Sequence, residues 1–86
     1  MDYEKIVRKI IEPIVEDPAS VFLRVNEEEK EVLIIIAADK EDTARLIGRH
    51  GLIANAIREV VSVAGKSQNK RVRLKFESFD DGKKED

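Results

Sequence analysis

Eighty-six residues, 42% of them apolar, are enough for one hydrophobic core and too few for two. The absence of cysteine excludes a disulfide framework, a thiolate metal site and a cysteine nucleophile, and it suits a reducing, cytoplasmic setting. Charged residues make up 40% of the chain, yet the formal net charge is only -2, which at first sight argues against a polyanionic partner.

In chain order, Ile6, Val7, Ile10, Ile11, Ile14 and Val15 recur at helical spacing, so Asp2 to Ile14 reads as an amphipathic helix with Asp2 at its start. Pro13 removes a donor near its end, and Asp17-Pro18 turns the chain away. Val21, Leu23 and Val25 alternate with Phe22 and Arg24, and Val32 to Ala37 is almost continuously apolar. These are two strands around the acidic turn Glu27 to Lys30, the second apolar on both faces and therefore central. Asp39 is placed to cap a short helix running to Ile47, with Glu41 and Asp42 suited to its dipole, and Gly48 ends it. After Gly51, the residues Ile53, Ile57, Val60, Val61 and Ala64 share one helical face, and Gly65 is the expected stop. Val72, Leu74 and Phe76 alternate with Arg71, Arg73 and Lys75 in a third strand with one apolar and one basic side. From Ser78 onward the polar tail is expected to be disordered, so residues 1–77 form the single domain.

The order is helix, strand, strand, helix, helix, strand. The helical pair is long enough for a crossover, so the third strand can run parallel to the second. The expected fold class is α+β, a three-stranded mixed sheet with helices packed on one face. The longest apolar run is far below spanning length and no secretory pattern opens the chain, so neither a membrane nor export is expected.

Charge is segregated along this order. From Arg45 to Lys75 eight basic residues stand against one acid, Glu59, whereas the remainder holds eight basic and seventeen acidic residues. An ordinary solvated surface would mix the signs more, so one positive face on an acidic body is the preferred reading. Within the basic segment lies Gly48-Arg49-His50-Gly51, two glycines three apart between two helices. Glycine accepts positive φ and, having no Cβ, lets a phosphate approach the backbone amides, while the next helix points its free amides and positive dipole end at the same spot. Arg49 and His50 project from the tip, where a guanidinium pairs with phosphate oxygens. Two glycines alone would equally describe a helix cap and a flexible turn. The apolar strand before them and the positive charge on and after them favour a nucleotide backbone as the occupant.

The run Leu46-Ile47-Gly48-Arg49-His50-Gly51, its continuation Ile53-Ala54-Asn55-Ala56-Ile57-Arg58, the strand Arg71-Val72-Arg73 and the early Pro13-Ile14-Val15-Glu16-Asp17-Pro18 together resemble the KH family of RNA-binding domains. The similarity is strongest to its small stand-alone bacterial members, the KhpA group, and covers nearly the whole chain. It implies the prokaryotic, type II, KH arrangement and binding of single-stranded RNA, the loop clamping about four nucleotides while the bases lie in a groove beside the following helix. Carried across, Gly48, Arg49, His50 and Gly51 hold the sugar-phosphate chain. Ile47, Ile53 and Ile57 are candidates for the groove floor, of which Ile57 reads more readily as core. Arg45 and Arg58 are candidate phosphate contacts, and Arg71, Arg73 and Lys75 either extend the positive track or form a solvated sheet face. Leu52 stands where these relatives often carry a basic residue. The resemblance also implies an RNA chaperone or post-transcriptional regulator, and partners that are a second copy of the chain or a larger KH protein of the KhpB (Jag-like) type. A pairing module in which RNA binding is secondary is the alternative.

Catalysis is not expected. His50 is the only histidine and has no nucleophile, base or metal-ligand set beside it, so no cofactor or metal is implied. A phosphate-loop nucleotidase would need Lys and a hydroxyl where Leu52-Ile53 stand. Duplex DNA is a poor third choice, because the second helix of the pair begins with apolar residues.

Overall fold

Helix α1, Tyr3–Ile11, begins where the Asp2 carboxylate accepts from the Lys5 amide at 3.0 Å, with Glu4 in its first turn and Arg8 and Lys9 in its last, all favourable to the helix dipole. The computed structural model describes residues 1–79. The expected extension of this helix to Ile14 is corrected: the ladder stops at Ile11. Pro13 has no amide for the Lys9 carbonyl and its ring crowds that oxygen, so the Ile14 and Val15 amides both turn back to the Ile11 carbonyl, at 2.9 and 3.2 Å. Tyr3, Val7, Ile11 and Val15 form the buried stripe of this segment.

Strands β1 (Phe22–Glu27) and β2 (Glu31–Asp39) pair antiparallel, and β3 (Arg71–Phe79) lies parallel to β2 on its other side. The sheet order β1-β2-β3 makes β2 central, as its unbroken apolar run predicts. The connection from β2 to β3 contains α2 (Lys40–Ile47) and α3 (Leu52–Ser67), the crossover that parallel pairing requires. The α+β class, the element order and the mixed three-stranded sheet therefore agree with the sequence.

Residues on β2 alternate. Val32, Ile34, Ile36 and Ala38 face the helices and are buried, whereas Leu33, Ile35 and Ala37 on the opposite face stay half-exposed. Leu23 and Val25 from β1, and Val72, Leu74 and Phe76 from β3, join the inner face, and Leu46, Ile57 and Val61 close the core from α2 and α3. Each fully buried Ile or Val of this set contributes about 1.5–3 kcal/mol.

Two further expectations are corrected. Gly65 does not stop α3, which continues to Ser67; Asn69, at φ 64°, takes the left-handed position instead. The glycine serves close packing, since a Cβ there would lie 2.5 Å from Val72 Cγ2 and 2.9 Å from the Lys70 carbonyl oxygen. Nor does structure end at Glu77. Ser78 and Phe79 continue β3 opposite Ala38 and Asp39, so the expectation of disorder from Ser78 is corrected for these two; for residues 80–86 it lies outside the described residues.

Candidate nucleic-acid interface

The bend between α2 and α3 is built by three left-handed residues. Gly48 has φ 75°, ψ 174°, a region essentially restricted to glycine; His50 (φ 57°, ψ 24°) and Gly51 (φ 75°, ψ 16°) are both in the left-handed helical region. The Gly48 amide still donates to Ala44 O at 2.9 Å, ending α2, and the Gly51 amide donates to Gly48 O at 3.1 Å, closing the turn. Helix α3 then starts with the Leu52 amide donating to Arg49 O and with no side chain capping its first turn, so its remaining first-turn amides and positive dipole end open onto the bend. Arg49 and His50 are exposed at the tip.

The two glycines do different work. A Cβ on Gly48 would overlap Ile53 and come within 3.0 Å of the Ile53 backbone nitrogen, whereas a Cβ on Gly51 would meet nothing within 4 Å. Gly48 fixes how α3 leaves the turn, and Gly51 keeps a space clear above the amides. Gly48→Ala is therefore expected to cost about 3 kcal/mol from the glycine-only backbone and the overlap combined. Gly51→Ala should cost about 1 kcal/mol. Thermal melts of the two variants check this; equal losses would refute the division of roles.

Ile53 packs against the core from the first turn of α3, Ile57 is buried at 3% exposure as a core residue, and Ile47 stands at the rim with 36% exposure. Leu52 is exposed beside the bend. Arg58 lies two turns into α3, its guanidinium bonded to Asn55 Oδ1. Asn55, Arg58, Ser62 and Lys66 recur three or four apart and form one polar row along α3, a helix about 24 Å long at 1.5 Å per residue. At its far end Ser62 and Lys66 join Asn69, Lys70, Arg71 and Val72 around a cavity of about 330 Å³. The row thus runs from the bend to the start of β3. Arg71, Arg73 and Lys75 all alternate onto the sheet face turned away from the helices; Arg71, at the first position of β3, still borders the cavity, whereas Arg73 and Lys75 do not share a face with the bend.

Arg45 is not free. Its guanidinium bonds Asp42 Oδ1 at 2.7 Å and lies 3.6 Å from Glu16. Lys70 is likewise engaged, donating to the Glu28 carbonyl at 2.5 Å and pairing with Glu27 at 2.9 Å. Among the described residues Arg49, Arg58, Lys66, Arg71 and Arg73 have no carboxylate partner, and they carry the positive potential that remains.

Sequence reasoning assigned Asp42 only to the helix dipole. It is buried at 1% exposure, and its two oxygens accept from the Glu16 and Asp17 amides at 2.9 and 3.1 Å while Arg45 holds one of them from the other side. Burial pushes the carboxyl pKa up, but the two amides and the guanidinium together outweigh it and hold it below the ordinary value. The α1–β1 connection is thereby tied to α2, and Arg8 ties it to α1 by donating to Pro18 O and Val21 O at 3.0 and 2.7 Å. An acid in the first turn of a helix is so common that no local signal singles this one out; the clue lay across the chain, at Glu16-Asp17.

A family model described as "KhpA/KhpB, KH domain" matches residues 4–76. The chain is 33% identical over 73 residues to the RNA-binding protein KhpA of Listeria monocytogenes, spanning 85% of this chain and 96% of that one. It is 32% identical over 77 residues to the RNA-binding protein KhpA of Bacillus subtilis, covering 90% and 93% of the two chains. To the RNA-binding protein KhpA of Borreliella burgdorferi it is 31% identical over 72 residues, 84% and 88% of the respective chains. No solved structure matches significantly.

Proposed function

Because the chain belongs to the KhpA/KhpB KH-domain family, we propose that it binds single-stranded RNA through the bend Gly48–Gly51, without catalysis, in the manner of an RNA chaperone or post-transcriptional regulator. The observation that carries this reading is a bend with no side chain at Gly48 or Gly51, opening onto the start of a 16-residue helix whose first turn no side chain caps, with unfilled space above Gly51. A phosphate seated there accepts from backbone N–H groups and faces the positive end of the α3 dipole. Arg49 adds a charge-assisted bond at the tip. From the bend, the polar row Asn55, Arg58, Ser62, Lys66 leads the strand along α3 towards Arg71, and Ile47 and Ile53 line the start of that path for the bases. Arg45, already paired inside the protein, is left to position α2 rather than to contact phosphate.

A salt titration tests this. With about three phosphates neutralised, the log–log plot of affinity against salt for a short oligoribonucleotide should have a slope near -2, at about -0.7 per contact on a single strand. Affinity that does not respond to salt would count against backbone clamping.

A second reading is supported by Leu52, Val60 and Val63, exposed at 69%, 55% and 70%. Leu52 and Val63 lie on the outward side of α3, opposite Ile57 and Val61, and Val60, expected on the buried face, instead stands exposed at its edge, so a second copy or a larger KH protein of the KhpB (Jag-like) type could pack across this flank. Pairing there leaves the bend accessible, so the two readings coexist.

A further inference from the structure

We propose that the sheet face turned away from the helices is a second platform for single-stranded RNA, separate from the bend; this rests on the RNA-binding reading above and extends it to a new site. Register and alternation place Phe22, Arg24, Ile35, Arg73, Lys75 and Phe79 on that face. Phe22 is 64% exposed, its ring centroid 6.1 Å from that of Phe79 and the planes 58° apart, so an aromatic pair stands at one end of an otherwise open sheet. Ile35 on the central strand is flanked by Arg24 on β1 and Lys75 on β3, and the neighbouring row ends in Arg73. Cations thus edge both sides of an apolar floor.

The carboxylates near the aromatic end are committed: Asp39 caps α2 by accepting from the Asp42 amide at 2.8 Å, and Glu77 lies 3.9 Å from Lys75. At the other end Glu31 stands opposite Arg71 in the β2–β3 register, outside the central rows and without an ion pair to it. The two central rows, Arg24–Ile35–Lys75 and Asn26–Leu33–Arg73, hold three cations and no acid, and of the three only Lys75 has a carboxylate within 4 Å among the described residues; this complements a phosphodiester chain, while the exposed ring offers a surface on which any base can stack. A second copy fits worse. In a two-fold interface the patch would meet itself and bring two sets of Arg24, Arg73 and Lys75 together in a desolvated contact.

The test compares two RNA lengths and two variants of the full chain. A four-nucleotide strand reports the bend, and a strand of about 20 nucleotides is long enough to engage both faces. The triple variant Phe22→Ala, Arg24→Glu, Arg73→Glu is expected to bind the long strand about tenfold more weakly and the four-nucleotide strand unchanged, the loss of one stacked base and two phosphate contacts. Phe22→Ala alone, which keeps every charge, should give a smaller loss of the same pattern and serves if the triple variant melts early. A long strand carrying 4-thiouridine should cross-link to the peptide containing Phe22 as well as to the bend. Cross-links confined to the bend, with both variants binding the long strand normally, would overturn the proposal. So would a variant that altered only sedimentation mass, which would assign the face to a second copy. Arg49→Asp with His50→Asp should weaken four-nucleotide binding about a hundredfold while the Phe22 cross-link persists. Four-nucleotide binding that survives that change would sink the bend as the clamp and leave the sheet face standing.

Discussion

Changing Arg49 and His50 together to aspartate is expected to weaken binding of a short oligoribonucleotide by about a hundredfold, near 2.7 kcal/mol, with no loss of thermal stability. Both side chains are exposed, and neither takes part in a hydrogen bond or ion pair among the described residues, so removing them costs the fold nothing it uses. Aspartate suits His50 in particular, because φ 57° is a conformation that Asp adopts more readily than most residues. The effect on binding has two sources. A guanidinium that pairs with phosphate oxygens is lost, and two carboxylates now repel the strand at the point where the α3 dipole would attract it. Fluorescence anisotropy at two or three salt concentrations measures the loss, and a melt of the same sample guards against unfolding. Unchanged affinity, or loss that tracks a fall in Tm, would remove the bend from the RNA site.

Asp42→Ala is expected to destabilise the fold by about 3 kcal/mol, since it strands the Glu16 and Asp17 amides and leaves the Arg45 guanidinium without its buried partner. For a domain of this size that lowers Tm by about 15 °C. The pH dependence follows from the direction of the shift. The folded Asp42 pKa is depressed, so its contribution is fully present above the unfolded carboxyl value of about 3.9 and is lost as pH falls through the folded value. The stability gap between the natural protein and Asp42→Asn should therefore be widest near neutrality and close in acid. Denaturant melts at a series of pH values measure it; a gap that stays constant into strong acid would mean that the charge on Asp42 does not matter. RNA affinity offers a second readout, because a loosened α1–β1 connection frees α2 to shift and with it the bend.

Local pattern carried most of the architecture. The apolar run Val32 to Ala37 is long and two-sided enough to demand the central position, and Asp39 and Gly48 bracket α2 as their chemistry dictates. Boundaries were less legible. Ile14 continues the helical spacing, but spacing does not register that Pro13 has broken the ladder. Gly65 resembles a stop because glycine usually is one, yet its reason for being there is Val72, a neighbour only once β3 packs beneath α3. Ser78 and Phe79 read as tail because polar residues surround them, and they become strand only because β2 extends to Asp39 and offers partners.

The candidate site divides in the same way. That Gly48 to Gly51 forms a bend with a basic tip is a property of adjacent residues, since positive φ, missing Cβ atoms and a following helix are all local. Which basic side chains remain available is a property of distant ones. Arg45 and Lys70 look equivalent to Arg58 and Lys66 along the chain, but Asp42 with Glu16 claims the first and Glu27 the second. The split of Arg73 and Lys75 from the bend likewise exists only after β3 takes its register beside β2. Backbone conformation and hydrophobic period act between near neighbours, so the sequence by itself determined the elements, their order and the bend. Ion pairing and facing depend on what the fold brings within a few ångströms, and those the tertiary structure alone decided.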